Sequence, residues 1–191
     1  MAQVYLGWGL MALQGTRRLY ESLVVTKAGS SPMSSIHWLV GLVFYADMGL
    51  SVWIQGSGAI LDSWNGKGDV AFTFPSLISL VLALGLYTVG YVTQNQCHKY
   101  LAGLRKYTLP NEGWFRYIIC PHYTSECLIY LGLSVATAPP DTFLVNRTVF
   151  LGLVFVVVNL GTTAHGTNKW YGQKFGADKV AGRWSMIPPI F

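Results

Sequence analysis

Charge is what this chain has least of. Only 11% of its 191 residues are Asp, Glu, Lys or Arg, against about 25% in an ordinary soluble domain. Hydrophobic residues make up 52%, and mean hydropathy is +0.39. A soluble core of this size needs enough polar surface to meet water, and this chain does not have it. A disordered protein, a coiled coil and a basic nucleic-acid module all fit poorly. Cysteine is scarce too. Cys97, Cys120 and Cys127 are odd in number and show no CxxC spacing, so neither a disulfide framework nor a zinc site is supported, and buried free thiols are the expectation. No GxGxxG, P-loop, HExxH or GxSxG sequence is present, which argues against a Rossmann domain and the common hydrolases. Composition alone points to an integral membrane protein.

A helix needs about 20 mostly apolar residues to cross the hydrocarbon core. Four segments approach that length: Ile36–Ile54, interrupted by Asp47; Phe74–Thr93; Tyr117–Ala138, which contains His122 and Glu126; and Val145–Ala164. A fifth, Val4–Leu13, is too short for a full crossing. It lacks a basic leader and a small-residue cleavage site, so it reads as the end of a membrane helix rather than a signal peptide. The expectation is an all-α, multi-pass transmembrane helix bundle of about five helices, one domain over residues 1–191.

The net charge is +5, and its distribution follows topology. If the five helices alternate, one side holds Arg17, Arg18, Lys27, Lys99, Arg105, Lys106, Arg116, Lys169, Lys174, Lys179 and Arg183, and the other only Lys67 and Arg147. Eleven against two puts the richer side in the cytosol, the C-terminus with it. It also removes the nucleic-acid reading, because the basic residues are spread over three short segments. Gln55–Thr73, with Gly56, Gly58, Asn65-Gly66 and Gly68, reads as an irregular non-cytosolic loop, and Pro139-Pro140-Asp141 as a tight turn. Asn146-Arg147-Thr148 matches the glycosylation pattern, but its place at a helix mouth argues against use.

Ionisable groups inside membrane segments usually face a bundle interior or a wet cavity. His122 and Glu126 are four apart and share a helix face; they either pair to fix packing or line a polar site open to the cytosol. Asp47 reads as a packed or water-linked structural carboxylate. Gln94–Arg116 and His165–Phe191 mix basic, aromatic and amide residues. They either anchor the protein at the membrane surface or hold an anionic cofactor over an apolar cavity, with Arg and Lys clamping phosphate and Tyr or Trp stacking on a ring.

The ordered motifs of these segments resemble the steroid 5-alpha-reductase family. They are Gln14 … Arg17-Arg18-Leu19-Tyr20-Glu21, Cys97-His98-Lys99-Tyr100-Leu101 … Leu104-Arg105-Lys106, Tyr107-Thr108-Leu109-Pro110, Gly113-Trp114-Phe115, Pro121-His122-Tyr123 … Glu126, and Lys169-Trp170-Tyr171 … Lys174-Phe175 … Arg183 … Ile187-Pro188. The CHKxLxxLRK and CPHY forms are similar to the polyprenol/polyprenal reductase branch. The resemblance runs from about Gln14 to Phe191. It implies an oxidoreductase of the endoplasmic-reticulum membrane that takes hydride from NADPH and saturates the α-isoprene double bond of a polyprenoid on the path to dolichol, supporting protein N-glycosylation. It implies cofactor-binding roles for Arg18, Arg105, Tyr107, His122, Glu126, Asn168 and Tyr171, no metal, and a lipid substrate lying between helices.

Two departures qualify that resemblance. Most members carry His where this chain has Asn168; Asn can hydrogen-bond but carries no charge, so a proton-donating role there is not expected, and His165 lies three residues earlier. The resemblance also implies further helices ahead of the Arg-Arg segment, with an acidic residue that in the steroid branch is expected to work on the substrate carbonyl. An incomplete bundle exposes polar groups to lipid, so the chain alone is expected to be unstable or weakly active. Two other readings stand beside the main one: a trans-2-enoyl-CoA reductase of very-long-chain fatty acid elongation, and a shortened, non-catalytic family member that binds lipid or modulates a longer enzyme.

Overall fold

A computed structural model describes residues 2–26, 34–54, 56–67, 75–139 and 144–191. Lys27, Gln55, Gly68, Phe74 and the Pro140-Asp141 turn lie outside the described residues. Six α-helices account for most of the rest: α1 (Ala2–Tyr20), α2 (Ser35–Ile54), α3 (Ser57–Trp64), α4 (Leu77–Gly103), α5 (Pro121–Ala136) and α6 (Arg147–Phe175). Among the described residues the only β-pairing is an isolated parallel bridge between Ile118 and Trp184. The all-helical expectation therefore holds.

Three helices are long and apolar enough to cross a membrane: α2, α4 and α6. The other two expected crossings are helical but different in kind. α1 keeps Gln14, Arg17 and the following Glu21 buried, and α5 has only 16 residues, about 24 Å at 1.5 Å per residue. α5 lies in the middle of the molecule, where Ile129, Leu133 and Ala136 are almost fully buried. α4 and α5 pack so closely that a Cβ on Gly132 would stand 2.8 Å from the Ala83 carbonyl oxygen, and one on Gly90 2.7 Å from the Ser125 carbonyl oxygen. Glycine is required at both crossings because backbone occupies the space.

Helix ends differ from the hydropathy boundaries. α4 runs ten residues past Thr93, and α6 eleven past Ala164, because a hydrogen-bonded ladder continues after the apolar run stops. α5 starts at Pro121, whose fixed φ and missing N–H suit the first helical position. The loop after α2 is less irregular than its glycines suggest. α3 forms within it and ends in a Schellman motif: Gly66 takes φ +68°, its N–H bonds the Ser63 carbonyl, and the Lys67 N–H bonds that of Asp62. Asn146 is fully buried and caps α6, its Oδ1 accepting from the N–H groups of Thr148 and Val149 at 3.1 and 3.3 Å. The glycosylation pattern is thus a helix cap. All three cysteines are buried free thiols.

The C-terminal ends of α1 and α4, the N-terminal halves of α2 and α5 and the middle of α6 meet around one cavity. There the C-terminal segment closes back: Ile119 and Cys120 donate to the carbonyls of Trp184 and Ser185, Trp184 donates to that of Tyr117, and the Arg183 guanidinium reaches the carbonyls of Pro110 and Phe115 at 2.9 and 3.1 Å.

Candidate active site

Three helix ends supply a buried polar network. On α1, Gln14, Arg17, Arg18 and the residue just past its end, Glu21, recur at spacings of three and four and share a face. On α4, Gln94, Asn95 and His98 do the same. Arg17 donates to Glu21 Oε1 at 2.5 Å and to Gln14 Oε1 at 2.7 Å. Gln14 donates to Gln94 Oε1 at 2.9 Å, and Arg17 donates to that same oxygen. The other Glu21 oxygen lies 2.6 Å from Arg18 Nη1 and 2.7 Å from His98 Nδ1, and Asn95 donates to Oε1 at 2.7 Å. His98 Nδ1 donates to Glu21 or accepts from Arg18, 2.9 Å away, according to its tautomer. The Arg17 guanidinium also stands 4.4 Å over the Tyr91 ring.

Glu21 is the anchor of this network. Its side chain has no exposed surface. Burial alone raises its carboxyl, but the hydrogen bonds from Arg18, His98 and Asn95 outweigh that and hold its pKa at about 2. Both arginines and the imidazole are thereby kept in fixed positions around one carboxylate.

The network opens into a cavity of about 260 Å³ between α2, α4, α5 and α6. Arg18, Gln94, His98, His122 and Glu126 form its polar end; Val40, Phe44, Phe155 and Val156 form its apolar wall. Gln94 Nε2 donates to Glu126 Oε2, so one amide joins the α1 network to the α5 carboxylate. His122 sits between the rings of Tyr123 and His98, at 4.3 and 5.7 Å between centroids. Its Nδ1 is buried without a hydrogen-bond partner. A buried imidazole nitrogen with no partner carries a desolvation cost, which a bound polar ligand would relieve.

The structure brings together three of the seven expected site residues, Arg18, His122 and Glu126. Arg105 and Tyr107 lie in the exposed loop after α4. Tyr107 takes φ +64°, and its ring lies 5.2 Å from Lys106 Nζ and 5.0 Å from Lys174 Nζ. Asn168 donates to Ser185 Oγ at 3.1 Å, which ties it to the C-terminal segment. Tyr171 packs against the core and against the rings of Trp170 and Phe175. Those four residues do not line this cavity. The polar groups missed in the sequence are Gln94 and Glu21 as junctions, and His37, Tyr45, His98, Tyr123, Tyr130 and Asn159 on the lining. A signal for the first two existed in the helical spacing 14, 17, 18, 21 and 94, 95, 98. Asp47, expected to be packed or water-linked, is exposed on α2 beside a second, apolar cleft. No group of His, Cys, Asp and Glu suited to a metal ion occurs among the described residues.

A helical membrane bundle with a half-polar, half-apolar cavity at one end defines the class. The chain belongs to the 3-oxo-5-alpha-steroid 4-dehydrogenase family, the steroid 5-alpha-reductases, whose pattern matches residues 41–191. It is similar to polyprenal reductase 1 of Oryza sativa subsp. indica, with 32% identity over 206 residues, 94% of this chain and 56% of that protein. It is also similar to polyprenal reductase 2 of Arabidopsis thaliana (29% identity, 95% of this chain, 60% of that protein). With polyprenal reductase of Xenopus tropicalis it shares 29% identity over 98% of this chain and 61% of that protein. The chain thus spans little more than half the length of the curated relatives it matches.

Proposed function

We propose that the chain carries the reductase site for an α,β-unsaturated polyprenoid aldehyde, with NADPH as reductant. The single observation behind this reading is the cavity that is polar at Arg18, His98, His122 and Glu126 and apolar at Phe44 and Phe155. A lipid enal has this division: one polarisable carbonyl on a hydrocarbon chain. The similarity to proteins named polyprenal reductase supports the same substrate class.

The residues present suit a nicotinamide cofactor. The unpartnered His122 Nδ1 offers one hydrogen bond to an amide or ribose group, and Glu126 another. Arg105, Tyr107, Asn168 and Tyr171 are the family positions for the rest of the molecule, with Arg105 suited to a phosphate. When bound, NADPH would supply the hydride for the β-carbon, and a proton taken up at the α-carbon completes saturation of the double bond. The chain's own contribution is positioning and polarisation. A conjugated aldehyde accepts hydride at its β-carbon more readily when its oxygen is polarised by a donor, and the donors on the cavity wall include Arg18, the phenols of Tyr45 and Tyr130, the Asn159 amide and the His37 ring. Glu21 holds Arg18 in place; Gln94 holds Glu126. The apolar wall keeps bulk water from the reacting carbons. The reading includes residence in the endoplasmic-reticulum membrane with the polar end and C-terminus toward the cytosol, and a place on the path to dolichol and protein glycosylation.

The test uses membranes from cells lacking their own polyprenal reductase and expressing this 191-residue chain. Polyprenal and NADPH are supplied, and the α-saturated product is followed. Product above the empty-vector control supports the reading. Its absence, with the chain present and folded in the membrane, defeats it for this chain.

A further inference from the structure

The cavity does not end at its apolar wall. A second cavity of about 520 Å³ runs along the α2–α6 contact and shares Val40, Phe44 and Phe155 with the first. The two helices are antiparallel, and their register is fixed by three contacts. The Thr148 hydroxyl donates to the Ser51 carbonyl at 3.1 Å. Met48 fills the place a Cβ would take on Gly152. Phe44 and Phe155 stack with centroids 5.3 Å apart. The cleft runs beside these contacts from the stacked phenylalanines to Ser51, about 10 Å along α2 at 1.5 Å per residue. Its outer walls face outward: Leu39, Val43 and Leu151 are 56%, 59% and 66% exposed on two helices that suit a membrane span. The space is polar at the cavity end, lined mainly by apolar side chains along its length with Asp47 about midway, and open sideways.

We propose that the α2–α6 cleft holds the isoprenoid chain of the substrate while its aldehyde lies in the polar cavity, an inference that rests on the polyprenal reading above. A charged cofactor or headgroup would lose its hydration in the cleft without compensation; a hydrocarbon chain gains from burial there. The Phe44–Phe155 stack stands where the two spaces join, so both rings touch the isoprene units next to the reacting carbons. Of the polar groups of the cleft, Ser51 and Thr148 lie at the far end and the exposed Asp47 about midway, one turn from Phe44. The Thr148 hydroxyl is already used there, bonded to Ser51 and to Asn146 Oδ1. The hydrocarbon bypasses Asp47, whose carboxylate is not needed for binding.

The test reads binding directly. The full chain in phosphatidylcholine vesicles is irradiated with undecaprenal carrying a diazirine in its second isoprene unit, and labelled residues are mapped by mass spectrometry. The expected labels fall within 39–47 and 148–155 and disappear under excess unlabelled polyprenal. Leu151→Trp and Val43→Trp, which fill the cleft from opposite walls, abolish the competed label; Val81→Trp, on the outer face of α4, keeps it. Asp47→Leu keeps it as well. Labelling that resists the competitor, that is spread over the outside of α4, or that survives both tryptophans overturns the proposal. Loss of label in Asp47→Leu also overturns it and assigns the cleft to a polar occupant, such as a basic partner helix. Because the readout is not turnover, the two ideas fail separately: competed cleft labelling without product defeats the reductase reading alone, and product without cleft labelling defeats this one alone.

Discussion

Arg17 and Glu21 form an ion pair of 2.5 Å inside the bundle, with 6% and none of their side-chain surfaces exposed. A pair so placed repays its desolvation only when its remaining donors and acceptors are satisfied. Here Gln14, Gln94, Asn95, His98 and Arg18 satisfy all of them but the buried Arg17 Nε. The pair is a fixed post from which the polar end of the cavity hangs.

Removing one partner should therefore cost more than removing both. Glu21→Gln leaves Arg17 charged and buried, a loss of about 3–5 kcal/mol. The double variant Arg17→Met, Glu21→Leu should recover a good part of that. Thermal unfolding in detergent, followed by tryptophan fluorescence, gives the comparison; equal losses in the single and double variants would refute it.

The same carboxylate sets a pH dependence. Its folded-state pKa of about 2 lies below the ordinary 4.5, so its stabilisation is complete above that ordinary value and is lost as pH falls toward 2. The melting temperature of the wild type should drop between pH 5 and pH 3 more steeply than that of Glu21→Gln. Parallel curves across that window would contradict the assignment.

Gly132→Ala should loosen the α4–α5 crossing, because the new Cβ meets the Ala83 carbonyl at 2.8 Å. Overpacking of this kind costs about 1–3 kcal/mol. Gly85→Ala, also on α4 but with nothing within 4 Å, should be neutral or stabilising by up to about 1 kcal/mol. Limited proteolysis of the two variants separates the outcomes.

Gly41 lines the cavity, and a Cβ there meets nothing within 4 Å. Gly41→Leu should fill the cavity while leaving the melting temperature within about 1 kcal/mol of the wild type's stability. Loss of polyprenal reduction in a variant that stays folded supports the site; full activity removes the cavity from the mechanism.

Asn146 offers a test of cap against glycan. Asn146→Ala should cost about 1 kcal/mol through loss of the α6 cap. Endoglycosidase treatment of the wild type expressed in microsomes should leave its gel mobility unchanged; a shift would show that the asparagine leaves its buried place during synthesis.

Much of the fold was legible because membrane crossing is a matter of composition. The cores of α2, α4 and α6 appear as apolar runs, and the Pro-His-Tyr sequence marks the start of α5. Helix ends were not legible where polar residues continue a helix, as in Gln94–Gly103 and His165–Phe175. The i, i+4 pair His122 and Glu126 was readable as one face, and both residues line the cavity. Gln94 was not readable as a junction: its partners Gln14, Arg17 and Glu126 lie 80, 77 and 32 residues away, and an amide at the end of an apolar run has no local mark. Asn168 and Tyr171 carried a family pattern without their neighbours, so the tie of Asn168 to Ser185 could come only from the folded chain.

The clasp made by Arg183 on the Pro110 and Phe115 carbonyls has a consequence for how the protein is built. The loop between α4 and α5 takes its shape from a side chain 73 and 68 positions further along, and such distant pairings form late because loop closure must precede them. The helical turns of α4, α5 and α6 rest on local hydrogen bonds and can form before the clasp, while the loop waits for its partner. A bundle that has packed its helices without this clasp has its polar end unlatched. The clasp is thus a late step that closes the polar end once the helices have packed.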